Sequence, residues 1–204
     1  VRLSLRPVKA IAKLSSSVFL EQLLMRAGFM STAVMTAKLG TEAFAAHQAA
    51  MNILSISFSF GDGMQVAAVA LIGRSLGEKR PQLARLYGQI CQRIGNVISL
   101  AVSVFFLLCG RFLYQIYFDE PHIVDMGVTL VRVIVLIVIV QIAQVIYMGC
   151  LRGAGDVIFT TIASTVSVTI IGTAVSSVMC YVAGLGLMGI WLGILADQIS
   201  RFLF

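Results

Sequence analysis

"VIFTTIASTVSVTIIGTAVSSVMCYVAGLGLMGIWLGILA", residues 157–196, contains no Asp, Glu, Lys, Arg or His. As one helix rising ~1.5 Å per residue it would be ~60 Å long, twice the ~30 Å hydrocarbon layer of a bilayer. The run must therefore fold back on itself, and Gly-Leu-Gly at 184–186 is the natural turn. Two consecutive apolar helices of this length place the chain in lipid.

Composition extends that reading to the whole sequence. Hydrophobic residues make up 59% of the 204 and charged residues 12%, against about 45–50% and about 25% in an ordinary soluble domain. Mean hydropathy is +0.97. The chain opens at Val1 and stops on Ser-Arg-Phe-Leu-Phe, which reads as a piece of a longer protein. The basic opening segment has no apolar core followed by a small-residue cleavage site, so no signal peptide is expected. Cys91, Cys109, Cys150 and Cys180 sit in or beside apolar runs without metal-ligand spacing and read as buried free thiols.

Apolar runs place six membrane helices at about 14–37, 43–72, 89–110, 127–150, 157–182 and 186–204, an all-α membrane lobe. Residues 1–13, basic and interrupted by Pro7, are expected as an interfacial connector, and 73–89 as a polar loop. Lys and Arg orient the lobe. Arg2, Arg6, Lys9, Lys13, Arg74, Lys79, Arg80, Arg85, Arg93, Arg152 and Arg201 fall on one side, and only Lys38, Arg111 and Arg132 on the other. Both ends of the chain are therefore expected in the cytoplasm. The positive charge marks membrane edges, and without an aromatic-interleaved basic patch no nucleic-acid partner is expected.

The first helix is the least apolar. Helical spacing puts Ser17, Glu21, Met25, Gly28, Thr32 and Met35 on one face, a polar, small and soft stripe suited to a cavity wall. An ionised carboxylate about 10 Å into the membrane needs water, a cation or a partner. Glu21 is therefore the candidate proton- or cation-binding group, with a structural carboxylate bonded between helices as the alternative. Arg26 lies about 140° around the helix from Glu21. Asp62 on the second helix falls at nearly the same depth, so an Arg26–Asp62 structural ion pair is expected. Gln48, Asn52 and Ser55 form a polar stripe on the second helix, and Gln141 and Gln144 a polar pair on the fourth. Of these, Gln48, Asn52 and Gln141 are cavity-lining candidates beside Ser17, Met25 and Thr32. His47 is expected as a hydrogen-bonded interfacial group. Gly186, Gly189 and Gly193 should let helices approach closely. GxSxG, HExxH and phosphate-loop motifs are all missing, so neither an enzyme nor a resident metal or cofactor is expected.

"EQLLMRAGF" (21–29), "AAHQAAMNILSISFSF" (45–60), "QVAAVALIGRSLGEK" (65–79), "GCLRGAGD" (149–156) and "GLGLMGIWLG" (184–193) together resemble the multidrug and toxic compound extrusion (MATE) family of cation-coupled transporters. The resemblance covers essentially the whole chain. It implies one six-helix lobe, the second, of a twelve-helix two-lobe transporter, with the N-terminal lobe outside this chain. It implies a multi-pass cell-membrane antiporter that exports cationic amphipathic organic molecules or drugs in exchange for H⁺ or Na⁺ by alternating access. Glu21 matches the family's acidic residue on the first helix of this lobe. The Tyr and Asp that complete a Na⁺ site in some members are matched by Ile137 and Gln141, so the resemblance carries that Na⁺ site over only in part. Two other readings are a lipid-linked oligosaccharide flippase, which would want a strongly cationic cleft, and a membrane assembly subunit without a transport cycle.

Overall fold

In a computed structural model of the protein, residues 5–204 are described, with side chains from residue 16 onward except 17 and 18. They form six helices: α1 (Leu5–Ala37), α2 (Thr41–Gly77), α3 (Pro81–Tyr117), α4 (Pro121–Gly153), α5 (Val157–Val182) and α6 (Gly186–Leu203). Every connection is three residues long, which forces an up-and-down bundle of antiparallel neighbours. Among the described residues, α2, α3, α4 and α5 are long and apolar enough to cross a membrane.

The helices outrun the apolar segments. At 33 to 37 residues, α1 to α4 are about 50–55 Å long by the usual rise. Their ends therefore stand clear of the hydrocarbon, where polar residues continue the helix at no desolvation cost. The polar stretch 73–89 is accordingly helical except at 78–80, and Lys79 there takes a left-handed φ of 58°. Pro81 and Pro121 begin α3 and α4, positions where the missing N–H costs nothing. The expected connector does not form a separate element from Leu5 onward, because α1 already begins there. Ser17 lies outside the described side chains.

α4 is the central helix. Ile134, Ile137, Val138, Ile142 and Ile146 are fully buried on it, and it packs against α2, α3 and α6. This is the continuous Val/Ile run expected of a helix surrounded by protein. α3 lies outside, with Val97, Leu100, Val104 and Leu107 exposed in one stripe toward lipid. α6 wedges between α4 and α5. Gly189 and Gly193 make that possible, since a methyl group at either would overlap the α5 backbone at Met179 or Ser176. The expected turn is present, with Gly184 and Gly186 at φ of 69° and 54°. α5 departs from α-helical winding twice, with π-turns at Ser167–Gly172 and Val178–Val182.

Candidate functional site

α1 leans on α5 more than on its sequence neighbour α2. The gap left between α1 and α2, floored by α4, is a cavity of about 380 Å³. One face of each helix lines it. α2 contributes Met51, Ser55, Phe58, Asp62 and Gln65, spaced as a single helical stripe. α1 contributes Glu21, Met25, Arg26 and Phe29, and α4 contributes Gln144, Met148 and Arg152. Ser164 of α5 and Arg201 of α6 close the wall.

Glu21 is 2% exposed and ion-paired. Arg152 Nη2 donates to its Oε1 at 2.6 Å, and Thr161 Oγ1 donates to its Oε2 at 3.3 Å. Local sequence sets this geometry. α4 ends at Gly153, Gly155 turns the chain at φ 98°, and the Asp156 carboxylate caps α5 by accepting from the Phe159 N–H at 3.2 Å. That turn holds Arg152 against the first turns of α5, where its Nε donates to Thr160 Oγ1 at 3.3 Å.

A second buried pair stands behind the wall. Arg201 Nε and Nη2 donate to the two oxygens of Asp197 at 3.0 and 2.7 Å, a bidentate i, i+4 bridge within α6. Gln198 Nε2 also donates to Asp197 at 3.2 Å, and Gln144 Nε2 donates to Gln198 at 3.0 Å. A polar chain thus runs from α4 into the last turns of α6.

The sequence-derived candidates scatter around this site. Met25 lines the cavity beside Glu21. Arg26 and Asp62 line it too, but the expected pair does not form: no ion pair joins them among the described residues. The cavity separates α1 from α2 at this depth, which equal depth alone did not reveal. Thr32 is buried and donates to its own helix's Phe29 carbonyl at 2.8 Å, away from the large cavity. Gln48 and Asn52 are exposed on α2 outside the lining. Gln141 is fully buried in the α2–α4 core, accepting from Ser57 Oγ at 3.0 Å. His47 is 1% exposed, edge-on to Trp191 with ring centroids 5.6 Å apart, so it is a core residue and not an interfacial one. Position 47 falls on the α2 face that carries Ala43, Ala46, Ala50 and Leu54.

Arg152, Asp197 and Arg201 are the charged residues of the site that sequence reading missed, along with lining residues such as Phe58, Met148 and Ser164. Both arginines stand near helix ends and were counted with the membrane-edge charges, yet their side chains are 18% and 4% exposed. The signal for the second pair was present: Asp197 ends the 40-residue uncharged run, with Arg201 one turn on.

The MatE family profile matches residues 18–178. The chain belongs to the MatE family. Among curated relatives, a probable multidrug resistance protein NorM of Bradyrhizobium diazoefficiens is 29% identical over 187 residues, covering 89% of this chain and 39% of the relative. The corresponding NorM of Thermotoga maritima is 28% identical over 199 residues, covering 95% and 42%. A solved MATE structure in a bent conformation superposes with a TM-score of 0.90 at 18% identity, over 100% of this chain and 45% of that one. An outward-facing MATE multidrug transporter gives 0.88 at 17%, over 97% and 44%. The chain thus spans about two fifths of the curated relatives it matches, and its all-α lobe is a MATE fold.

Proposed function

We propose that this chain is one lobe, the second, of a MATE antiporter that exports amphipathic organic cations, and that Glu21 carries the coupling proton. The observation that carries the reading is a buried carboxylate, 2% exposed, standing on the wall of the cavity. A carboxylate so placed is costly when it stands without a partner, so it responds to what surrounds it. The alternating-access cycle of transporters built from two repeats supplies what must change around it.

The donor set favours H⁺ over Na⁺. Among the described residues, one hydroxyl, Thr161, and a guanidinium at 2.6 Å bond to Glu21. Hard cations want several oxygens, and an arginine at that distance opposes a second cation unless the carboxylate is first neutralised. Gln141, at the position where some members place an Asp, is buried away from the cavity.

Substrate character follows from the lining. Met25, Phe29, Met51, Phe58 and Met148 offer soft and aromatic surface, and Asp62 faces the same space with its charge exposed. The volume of about 380 Å³ lies within the range of roughly 300–1,000 Å³ usual for small-molecule sites. Three arginines also line the cavity, which is what a flippase for anionic lipid-linked sugars would need. Two of them are neutralised, Arg152 by Glu21 and Arg201 by Asp197, so the cationic excess is small. The distribution of Lys and Arg supports a cell-membrane lobe with both ends of this chain in the cytoplasm, docked against an N-terminal lobe.

The test is proton-driven export of a fluorescent lipophilic cation from vesicles carrying the full-length transporter. Glu21→Gln should abolish export driven by a pH gradient while protein abundance in the membrane is unchanged. Export at the wild-type rate would remove Glu21 from the mechanism, and undiminished export driven by a Na⁺ gradient at fixed pH would transfer the coupling to Na⁺.

A further inference from the structure

We infer that Arg152 is a tethered counter-cation that competes with the coupling proton for Glu21 and passes to Asp62 when the proton arrives. Loading the carboxylate then unties α1 from α4, while α4 stays packed on α2. The inference rests on Glu21 being the coupling carboxyl.

Three observations lead to it. First, the Glu21–Arg152 contact is the principal tie between α1 and α4, which hardly touch elsewhere among the described residues. Protonating Glu21 removes the charge that holds the guanidinium and leaves a cation 18% exposed to the cavity without its partner, which is a costly state. Second, the guanidinium is anchored through Nε to Thr160, so Nη2 can leave Glu21 while the anchor at the α4–α5 junction persists. Third, apart from Glu21, Asp62 is the acid among the described residues that line the cavity. Asp197 is already held by both forks of Arg201 and by Gln198. Asp62 is exposed on the α2 wall of the same cavity that Arg152 lines, and engages in no ion pair among the described residues.

Among the described residues, the charged groups that line the cavity with Arg152 are few, and Asp156 in the turn below it already caps α5. α1 presents Glu21 and Arg26, α2 presents Asp62, and α6 presents Arg201 with its own counter-ion Asp197. α5 contributes only hydroxyls, from Thr160, Thr161 and Ser164. Arg26 stays on α1 as a fixed positive charge, so a freed Arg152 is repelled from the α1 wall and attracted by the α2 wall. One proton in therefore moves one positive charge from the α1 side of the cavity to the α2 side.

The experiment is the pH of half-maximal export in proteoliposomes of the full-length transporter, with carboxyl protonation followed in parallel by infrared absorption of the purified protein. The infrared reading needs no turnover. Arg152→Gln should raise the protonation midpoint of Glu21 by at least one unit, about tenfold in proton affinity, because the carboxylate has lost its competitor. Asp62→Asn should lower the midpoint, because Arg152 has nowhere else to go. In the double variant, Asp62→Asn should change the midpoint by less than a third of what it does alone, since its effect runs through Arg152. An unmoved midpoint in Arg152→Gln, or two shifts that simply add, overturns the hand-over. Where Arg152→Gln does not accumulate, the neutral Arg152→Met takes its place, and Asp62→Asn must again lose most of its effect. Glu21→Gln separates the two claims: if it keeps proton-driven export, the Glu21 reading fails. If it is inactive while Arg152→Gln leaves the midpoint in place, only the hand-over fails.

Discussion

Arg152 and Glu21, separated by 131 residues of chain, meet at 2.6 Å on the wall of the cavity. The arginine comes from the last turn of the most apolar helix and the glutamate from the least apolar one. The contact is forked on the arginine side, with Nε committed to Thr160 and Nη2 to the carboxylate.

Arg152→Lys should therefore not be conservative. An ammonium is a point charge that can reach Glu21 or Thr160 but cannot hold both in the fixed fork of a guanidinium. A loss of about 1 kcal/mol is expected from the missing charge-assisted bond, read as a lowered midpoint in thermal unfolding of the full-length protein in detergent. An unchanged midpoint would show that the Thr160 anchor contributes nothing.

Asp197 and Arg201 are buried at 4% each, so removing one strands the other. Asp197→Ala and Arg201→Ala should each destabilise the lobe by about 3–5 kcal/mol. The double variant should lose less than the sum of the two, since neither charge is then left alone. Additive losses in the same unfolding assay would mean that the bidentate bridge is not formed in the folded protein.

Gly193→Ala tests the α5–α6 seam. The added methyl group would overlap Ser176 backbone atoms, which cannot move aside as a side-chain tip could. Overpacking of this kind costs about 1–3 kcal/mol. The same change at Gly63, which has open space around it, should be close to neutral or slightly stabilising within α2.

Gln141→Leu should leave export intact. The side chain stands at 3.0 Å from the Ser57 hydroxyl, whose one proton can go instead to the Leu54 carbonyl at 2.7 Å, and its own amide nitrogen is unpartnered. Losing that bond costs about 1 kcal/mol at most, and the removed amide leaves no orphan donor. Loss of export with normal abundance would return Gln141 to the transport path.

The six-helix plan was legible because apolar length is a coarse, one-dimensional quantity: the 157–196 run and its glycine turn are visible before any packing is considered. Helix ends were not, because hydropathy reports where lipid stops and not where hydrogen bonding stops, and Pro81 and Pro121 begin helices well outside the apolar zone. Glu21 stood out for the same reason as the spans, as a charge where charge is expensive. Its partner did not, because Arg152 near a helix end reads as an edge charge until the bundle folds it inward. Arg26 and Asp62 show the converse limit. Depth can be counted along a helix, but whether two helices touch or part at that depth is decided by a third element, here α5 drawing α1 away from α2.

The two wide turns of α5 give that helix a surplus residue in its winding at each place. Tightening either one to ordinary pitch would carry everything beyond it around the axis by about 100° and along it by about 1.5 Å. Ser176, now seated on Gly193, lies between the two. A screw motion stored in this way would let one rim of the lobe slide past α6 while every backbone amide keeps a carbonyl to bond, which is how a segment surrounded by oil can change shape without exposing itself.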